Sequence, residues 1–138
     1  MADVSTDKIR LEIVTPERIV VSEEVDEVVL PGIEGEFGVL HGHIPFLTAL
    51  KVGVLTYKKG NAEEHLAVSW GYVEVTSDNV KVLAETAEKA TEIDLSRAQT
   101  AREAAEKILT SGKEDTEYEE AKVRLEKAII RVQVAGKK

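Results

Sequence analysis

At 138 residues, with 43% hydrophobic but only 4% aromatic content, the chain has room for one aliphatic-cored domain with an appendage. It contains no cysteine, which excludes disulfides and thiolate metal sites. The formal net charge of −8 is confined to the first part: up to Ala87 seven basic residues face fifteen acidic ones, whereas from Glu88 onward the count is eleven against eleven, and an acidic first part speaks against nucleic-acid binding. No apolar run approaches the ~20 residues that span a bilayer. The N-terminus, MADVSTDKIRLEIVTPERI, lacks the basic-then-apolar order of a secretory signal, so a soluble intracellular protein is expected.

Residues 8–15 alternate, with Ile9, Leu11 and Ile13 set against Lys8, Arg10 and Glu12, and period two predicts a strand with one buried face. Residues 18–22 and 25–30 read the same way. The stretch 29–55, VLPGIEGEFGVLHGHIPFLTALKVGVL, crowds glycines and prolines between apolar residues and cannot be a helix. It reads as a strand at 28–30, a tight turn at 31–35, a strand at 36–40 and then an ordered loop. Four more strands are predicted at 53–58, 65–70, 72–76 and 79–84, with turn chemistry at 59–61 and 77–79. Short strands punctuated this regularly predict an antiparallel β-sandwich ending near Thr86.

The period then changes to that of a helix. Leu95, Ala98, Ala101, Ala105, Ile108 and Leu109 form one stripe; Thr91 with Asp94 matches a capping box, and Gly112 suits a C-terminal cap. A polar connector at 111–115 leads to a second capping box, Thr116 with Glu119, and to a second stripe of Tyr118, Ala121, Leu125, Ala128 and Val132. The fold class is therefore α+β: an N-terminal antiparallel β-sandwich (1–87) followed by a C-terminal two-helix antiparallel hairpin (88–138). The second helix has another apolar line, Val123, Ile130 and Val134, with Ile129 beside it, which an alanine-rich partner helix cannot cover alone. It either lies on the sandwich or docks elsewhere, and a hairpin that moves does both. After Glu114, Asp115, Glu117, Glu119 and Glu120, the sign reverses: Lys122, Arg124, Lys127, Arg131, Lys137 and Lys138 face only Glu126, making the last segment a basic rod.

Catalytic motifs are weak. His41 and His43 would point the same way on a strand, but zinc needs three or four ligands and no carboxylate accompanies them in a short loop. A positioning role for His43, bonded to backbone, fits better, and no metal is expected. The glycines of PGIEGEFG lack the Gly-Lys-Ser/Thr that opens a phosphate-loop helix. Ser69, Ser77 and the three histidines define no nucleophile–base pair.

The pattern LPG-x-x-GEFG-x-L-x-GH-x-PFLT-x-L-x-x-G-x-L resembles the signature of the epsilon subunit of F-type ATP synthases, and the helical half is similar to that family too, so the resemblance runs almost end to end. It implies a non-catalytic rotor subunit of the central stalk, peripheral to a bacterial inner membrane on its cytoplasmic face, or to a thylakoid on its stromal face. The implied partners are the gamma subunit, the c-ring and the beta subunit, with the membrane reached only through the complex. Glu36 and His43 fall on the stalk and ring side; Lys122, Arg124, Lys127 and Arg131 fall on the catalytic-head side, where the hairpin extends to block hydrolysis. No cofactor is required. Ile93-Asp94-Leu95-Ser96-Arg97-Ala98 resembles the I/L-D-x-x-R-A motif by which some bacterial epsilon subunits bind regulatory ATP, with Glu88 and Arg131 at matching positions. A carboxylate accepting from adenine or ribose and a guanidinium pairing with phosphate suit that ligand. Ala104 and Lys127 depart from the arginines such members carry. Two other classes stay open on these residues: a stand-alone ATP-sensing module using Glu88, Asp94, Arg97 and Arg131, and a small hydrolase built around His41 and His43.

Overall fold

The computed structural model describes residues 7–111 and 116–137. Eight strands precede two helices: β1 (Ile9–Val14), β2 (Ile19–Val25), β3 (Glu27–Gly32), β4 (Gly35–Val39), β5 (Phe46–Leu50), β6 (Gly53–Lys59), β7 (Ala62–Val75), β8 (Asn79–Lys89), α1 (Leu95–Thr110) and α2 (Thr116–Ala135). The strands run in the order β2-β1-β8-β7-β5-β3-β4, with β6 bridging β3 and β7, and wrap into a sandwich. The alternation read in β1 holds: Ile9, Leu11 and Ile13 are buried and meet Leu30, Leu55, Leu66 and Val73 in the core. Burying a side chain of this size contributes roughly 1.5–3 kcal/mol. Asp26 separates β2 from β3. Its carboxylate takes the Lys8 ammonium and, at 2.7 Å, the Gly60 N–H, and these two contacts hold its pKa below the ordinary carboxylate value.

Four features differ from the sequence expectation. The sandwich is not wholly antiparallel: β1 pairs with β8 in parallel, Arg10 opposite Asn79, so the first strand lies between β2 and the last. Residues 46–50, expected as loop, form β5 and pair with β7 from Phe46↔Val75 to Leu50↔Gly71. Expected as two strands, β7 is a single strand of 14 residues with a kink at Trp70 (φ +46°) and Gly71 (φ +147°). Across that kink the buried set changes parity, from Leu66 and Val68 to Val73 and Val75. The facing strand β8 follows suit, from Val80, Val82 and Ala84 to Ala87, with no slip in register. Ser69, buried at the switch, hydrogen-bonds Thr86. Finally, β8 continues to Lys89, through the 87/88 division drawn from the sequence.

The hairpin packs back onto the sandwich. Ala98 and Ala105 of α1 and Ala121 and Ala128 of α2 are the buried points of the two stripes, and alanine lets the helices approach closely. Ala101 and Leu95, counted in the first stripe, are exposed. The second apolar line of α2 divides. Val134 is buried, and Ile130 packs beside it in a small cluster with Ala67, Ala90, Ile93, Ala98 and Ala135, whereas Val123 and Ile129 remain exposed. Asp94 caps α1, its carboxylate accepting from the Arg97 N–H at 3.1 Å. The partner of the other box differs: Glu92, not Asp94, returns to the chain ahead of the 3-10 turn at Ala90–Glu92, accepting from the Lys89 N–H at 2.9 Å. Thr116 is the first residue of α2, so the position ahead of it and Gly112 both lie outside the described residues, as do Glu114, Asp115 and Lys138.

Candidate functional site: the cleft between sandwich and hairpin

Small residues leave space where hairpin meets sheet. A cleft of about 670 Å³ opens there, with Ala67, Val68, Ser69 and Ala87 on its floor and Ala101, Ala104, Ala105 and Ile108 of α1 along one wall. Such a volume suits a small-molecule ligand. Its charged lining alternates in sign. Arg131 Nε lies 2.8 Å from Glu88 Oε1, and Arg131 Nη2 donates to Glu88 Oε2 at 3.2 Å. The Nε contact is poorly aligned, so that N–H is buried with no acceptor along its direction. Lys127 Nζ reaches Glu85 Oε1 at 3.5 Å, and Arg18 at the cleft mouth pairs with Glu92 at 2.9 Å. Lys127 and Arg131 therefore tie α2 to β8 across the two domains. Arg124 also lines the cleft but pairs along its own helix with Glu120, at 3.4 Å, as Lys122 does with Glu119, at 3.9 Å.

The six residues that the resemblance assigned to ATP separate into three places. Glu88 and Arg131 line the cleft and are already bonded to each other. Ile93 and Ala98 are buried in the apolar cluster under the hairpin. Asp94 and Arg97 are exposed at the start of α1 and do not contribute to the cleft lining. Sequence reasoning missed Glu85 as the partner of Lys127, and the Arg18–Glu92 pair at the cleft mouth. The acidic excess of the first part was the available signal, but it does not say which carboxylates face α2.

On the opposite part of the sandwich, Glu36 is exposed on β4 opposite Pro31. His41 and His43 sit in the loop between β4 and β5, not on a strand. His43 Nδ1 lies 2.6 Å from the Ile44 carbonyl oxygen, which fixes the loop locally. His65, near the start of β7, meets Thr56 Oγ1 at 2.9 Å. Among the described residues no group of three or more His, Asp or Glu is placed to hold a metal ion.

The chain is thus a β-sandwich carrying a two-helix arm folded over a mostly apolar cleft. Residues 8–90 match the ATP synthase delta/epsilon chain beta-sandwich domain, and residues 91–136 match the long alpha-helix domain of the same chain. The ATP synthase epsilon chain of Geotalea daltonii is 54% identical over 132 residues, covering 95% of this chain and 96% of that one. That of Geobacter sulfurreducens is 53% identical over 132 residues, with the same coverage. In solved structures, the fold is similar to a chain of the Euglena gracilis mitochondrial ATP synthase OSCP/F1/c-ring assembly, with a TM-score of 0.80 at 24% identity over 93% of this chain and 81% of that one. A chain of the Tetrahymena thermophila mitochondrial ATP synthase central stalk and c-ring gives 0.58 at 11% identity over 92% and 96%. The chain belongs to the ATP synthase epsilon chain family.

Proposed function

We propose that this chain is a non-catalytic rotor subunit of the central stalk, whose sandwich docks on the gamma subunit and c-ring and whose hairpin restrains ATP hydrolysis when it extends toward the beta subunits. The observation that carries this reading is how lightly the hairpin is held. Its seat on the sandwich consists of small residues, one apolar cluster and two partly exposed ion pairs around an open cleft. Two packings separated by a few kcal/mol are what a population shift needs. Leaving the sandwich frees Lys127 and Arg131 from Glu85 and Glu88, so they can meet acidic residues of the catalytic head. Glu36 and the His43 loop, exposed on the sandwich, suit the ring and stalk contacts. Among the described residues no helix is long and apolar enough to cross a membrane. In this reading the chain attaches to the cytoplasmic face of a bacterial membrane, or to a thylakoid stromal face, through the complex.

The test uses the reconstituted complex. The chain should co-elute with gamma, and Lys122→Gln with Arg124→Gln should leave the isolated protein's stability within about 1 kcal/mol, since exposed pairs contribute little. The same double variant should inhibit hydrolysis less, and added salt should weaken inhibition by the wild type. Inhibition that ignores both charge and salt would sink the electrostatic part of this reading.

The cleft favours a regulatory ligand in addition. Its apolar walls, its cations Arg131, Lys127 and Arg124, and the poorly aligned N–H of Arg131 suit ATP as a ligand that holds the hairpin down. ATP should then raise the melting temperature through linkage. Arg131→Ala should weaken binding by about 2 kcal/mol, as loss of a charge-assisted contact does. Arg97→Ala should cost less, because Arg97 is outside the lining. No thermal shift at millimolar ATP would leave the cleft a packing gap.

A further inference from the structure

Trp70 occupies a backbone conformation that large residues rarely adopt. It is the one non-glycine residue at positive φ among the described residues, at +46°. A glycine would make the same kink in β7 without strain. The indole is not part of the hydrophobic core, and the residue is 37% exposed. Folding alone therefore does not account for a tryptophan here, and strain held at an exposed aromatic directs attention to binding.

The surroundings suit docking. Val14, Leu83, Tyr72 and Ala49 lie side by side across β1, β8, β7 and β5 on the outer face of the sheet. Tyr72 is 61% and Leu83 50% exposed. Trp70 joins this row and, with Val14, Pro16 and Leu83, lines a shallow groove of about 520 Å³. Aromatic side chains beside a groove are the usual anchors of protein interfaces. Charge specifies the occupant: Glu85 lines the groove too, its side chain 59% exposed, on a domain whose acidic residues outnumber its basic ones about two to one. The groove fits an apolar segment flanked by lysine or arginine.

We propose that Trp70 is the anchor of the sandwich's docking face, seated against a basic, apolar-faced segment of the gamma subunit. This rests on the reading above that the sandwich docks on gamma, and it adds which residue carries the contact and why its backbone is strained. Because Glu85 also pairs with Lys127, the same contact adjoins the seat of the hairpin.

The chain has one tryptophan, so 5-fluorotryptophan incorporated into it gives a single fluorine resonance from Trp70. Adding unlabelled gamma should shift or broaden that resonance. Trp70→Gly should fold with a melting temperature equal to or above wild type, yet bind gamma at least ~30-fold more weakly, as loss of an interface anchor does. Trp70→Phe should recover part of the affinity. If gamma co-elutes with the labelled chain while the resonance stays put, or if Trp70→Gly binds with full affinity, docking lies elsewhere on the sandwich and the inference fails while the stalk reading stands. If gamma does not bind the wild type at all, both fail. A resonance that shifts with the chain's own concentration, without gamma, would make the face a self-association surface and overturn the proposal.

Discussion

Gly71→Ala should be the most damaging single methyl group in this protein. A Cβ at position 71 would fall 1.8 Å from the Leu83 carbonyl oxygen and 2.9 Å from its carbon, and this backbone belongs to the central β7–β8 ladder, which cannot retreat. The residue also sits at φ +147°, outside the range of any L side chain. Strain and overpacking each cost roughly 1–3 kcal/mol, so a loss of about 4 kcal/mol is expected in urea melts, enough to unfold much of a marginal domain. Gly35→Ala and Gly60→Ala are the controls: both glycines have positive φ, but nothing lies within 4 Å of their added Cβ. Gly60→Ala, in the left-handed α region at φ +62°, should lose about 1 kcal/mol, and Gly35→Ala, at φ +134°, about 1–3 kcal/mol from backbone strain alone. Equal losses at all three positions would show that the close β7–β8 approach is not what position 71 requires.

A chain cut after Thr86 should be far less stable than one cut after Ala90, although only four residues separate them. The shorter fragment loses Ala87 from the core, with the pairs Val68↔Ala87, Ala67↔Glu88 and Leu66↔Lys89 that cover the first half of β7. Each hydrogen bond contributes about 0.5–1.5 kcal/mol net, and an orphaned buried partner costs more, so a deficit of about 3–5 kcal/mol is expected. The longer fragment retains the sandwich core and should unfold cooperatively without the helices, exposing only the shallow cluster around Ala67 and Ala90. Superimposable denaturation curves for the two fragments would mean that the end of β8 contributes nothing to the domain.

How much of this was legible beforehand depended on whether side-chain pattern and burial coincide. In β1 they do, because one face meets the core throughout, and period two is read directly. In β5 they do not. Phe46 and Leu47 are adjacent apolar residues that both remain exposed, so alternation is hidden and the strand passes for loop. The kink at Trp70 reverses the buried parity within one strand, which a periodicity reading renders as two strands. The sandwich-then-hairpin order was clear, since the hydrophobic period changes from two to 3.6 near Asp94. In the cleft, Glu88 and Arg131 were named, but their pairing depends on how α2 is rotated against β8. That rotation is set by Val134 and Ile130 seating on Ala67 and Ile93, a tertiary choice absent from local pattern. Trp70 escaped notice for a simpler reason: nothing in a residue's identity reveals its φ.

The parallel pairing of β1 with β8 also has a consequence for biosynthesis. Arg10 must wait for Asn79 to be made before it gains its neighbour, and until then β1 presents one open edge to any extended segment nearby. Contacts so distant along the chain close slowly, because a large loop must be ordered before they form. The hairpin is the opposite case, with partners adjacent in sequence, and it emerges from the ribosome only after the last strand of the sandwich. The arm therefore meets a surface that can already be complete, and it can be seated or left unseated without any strand being re-paired.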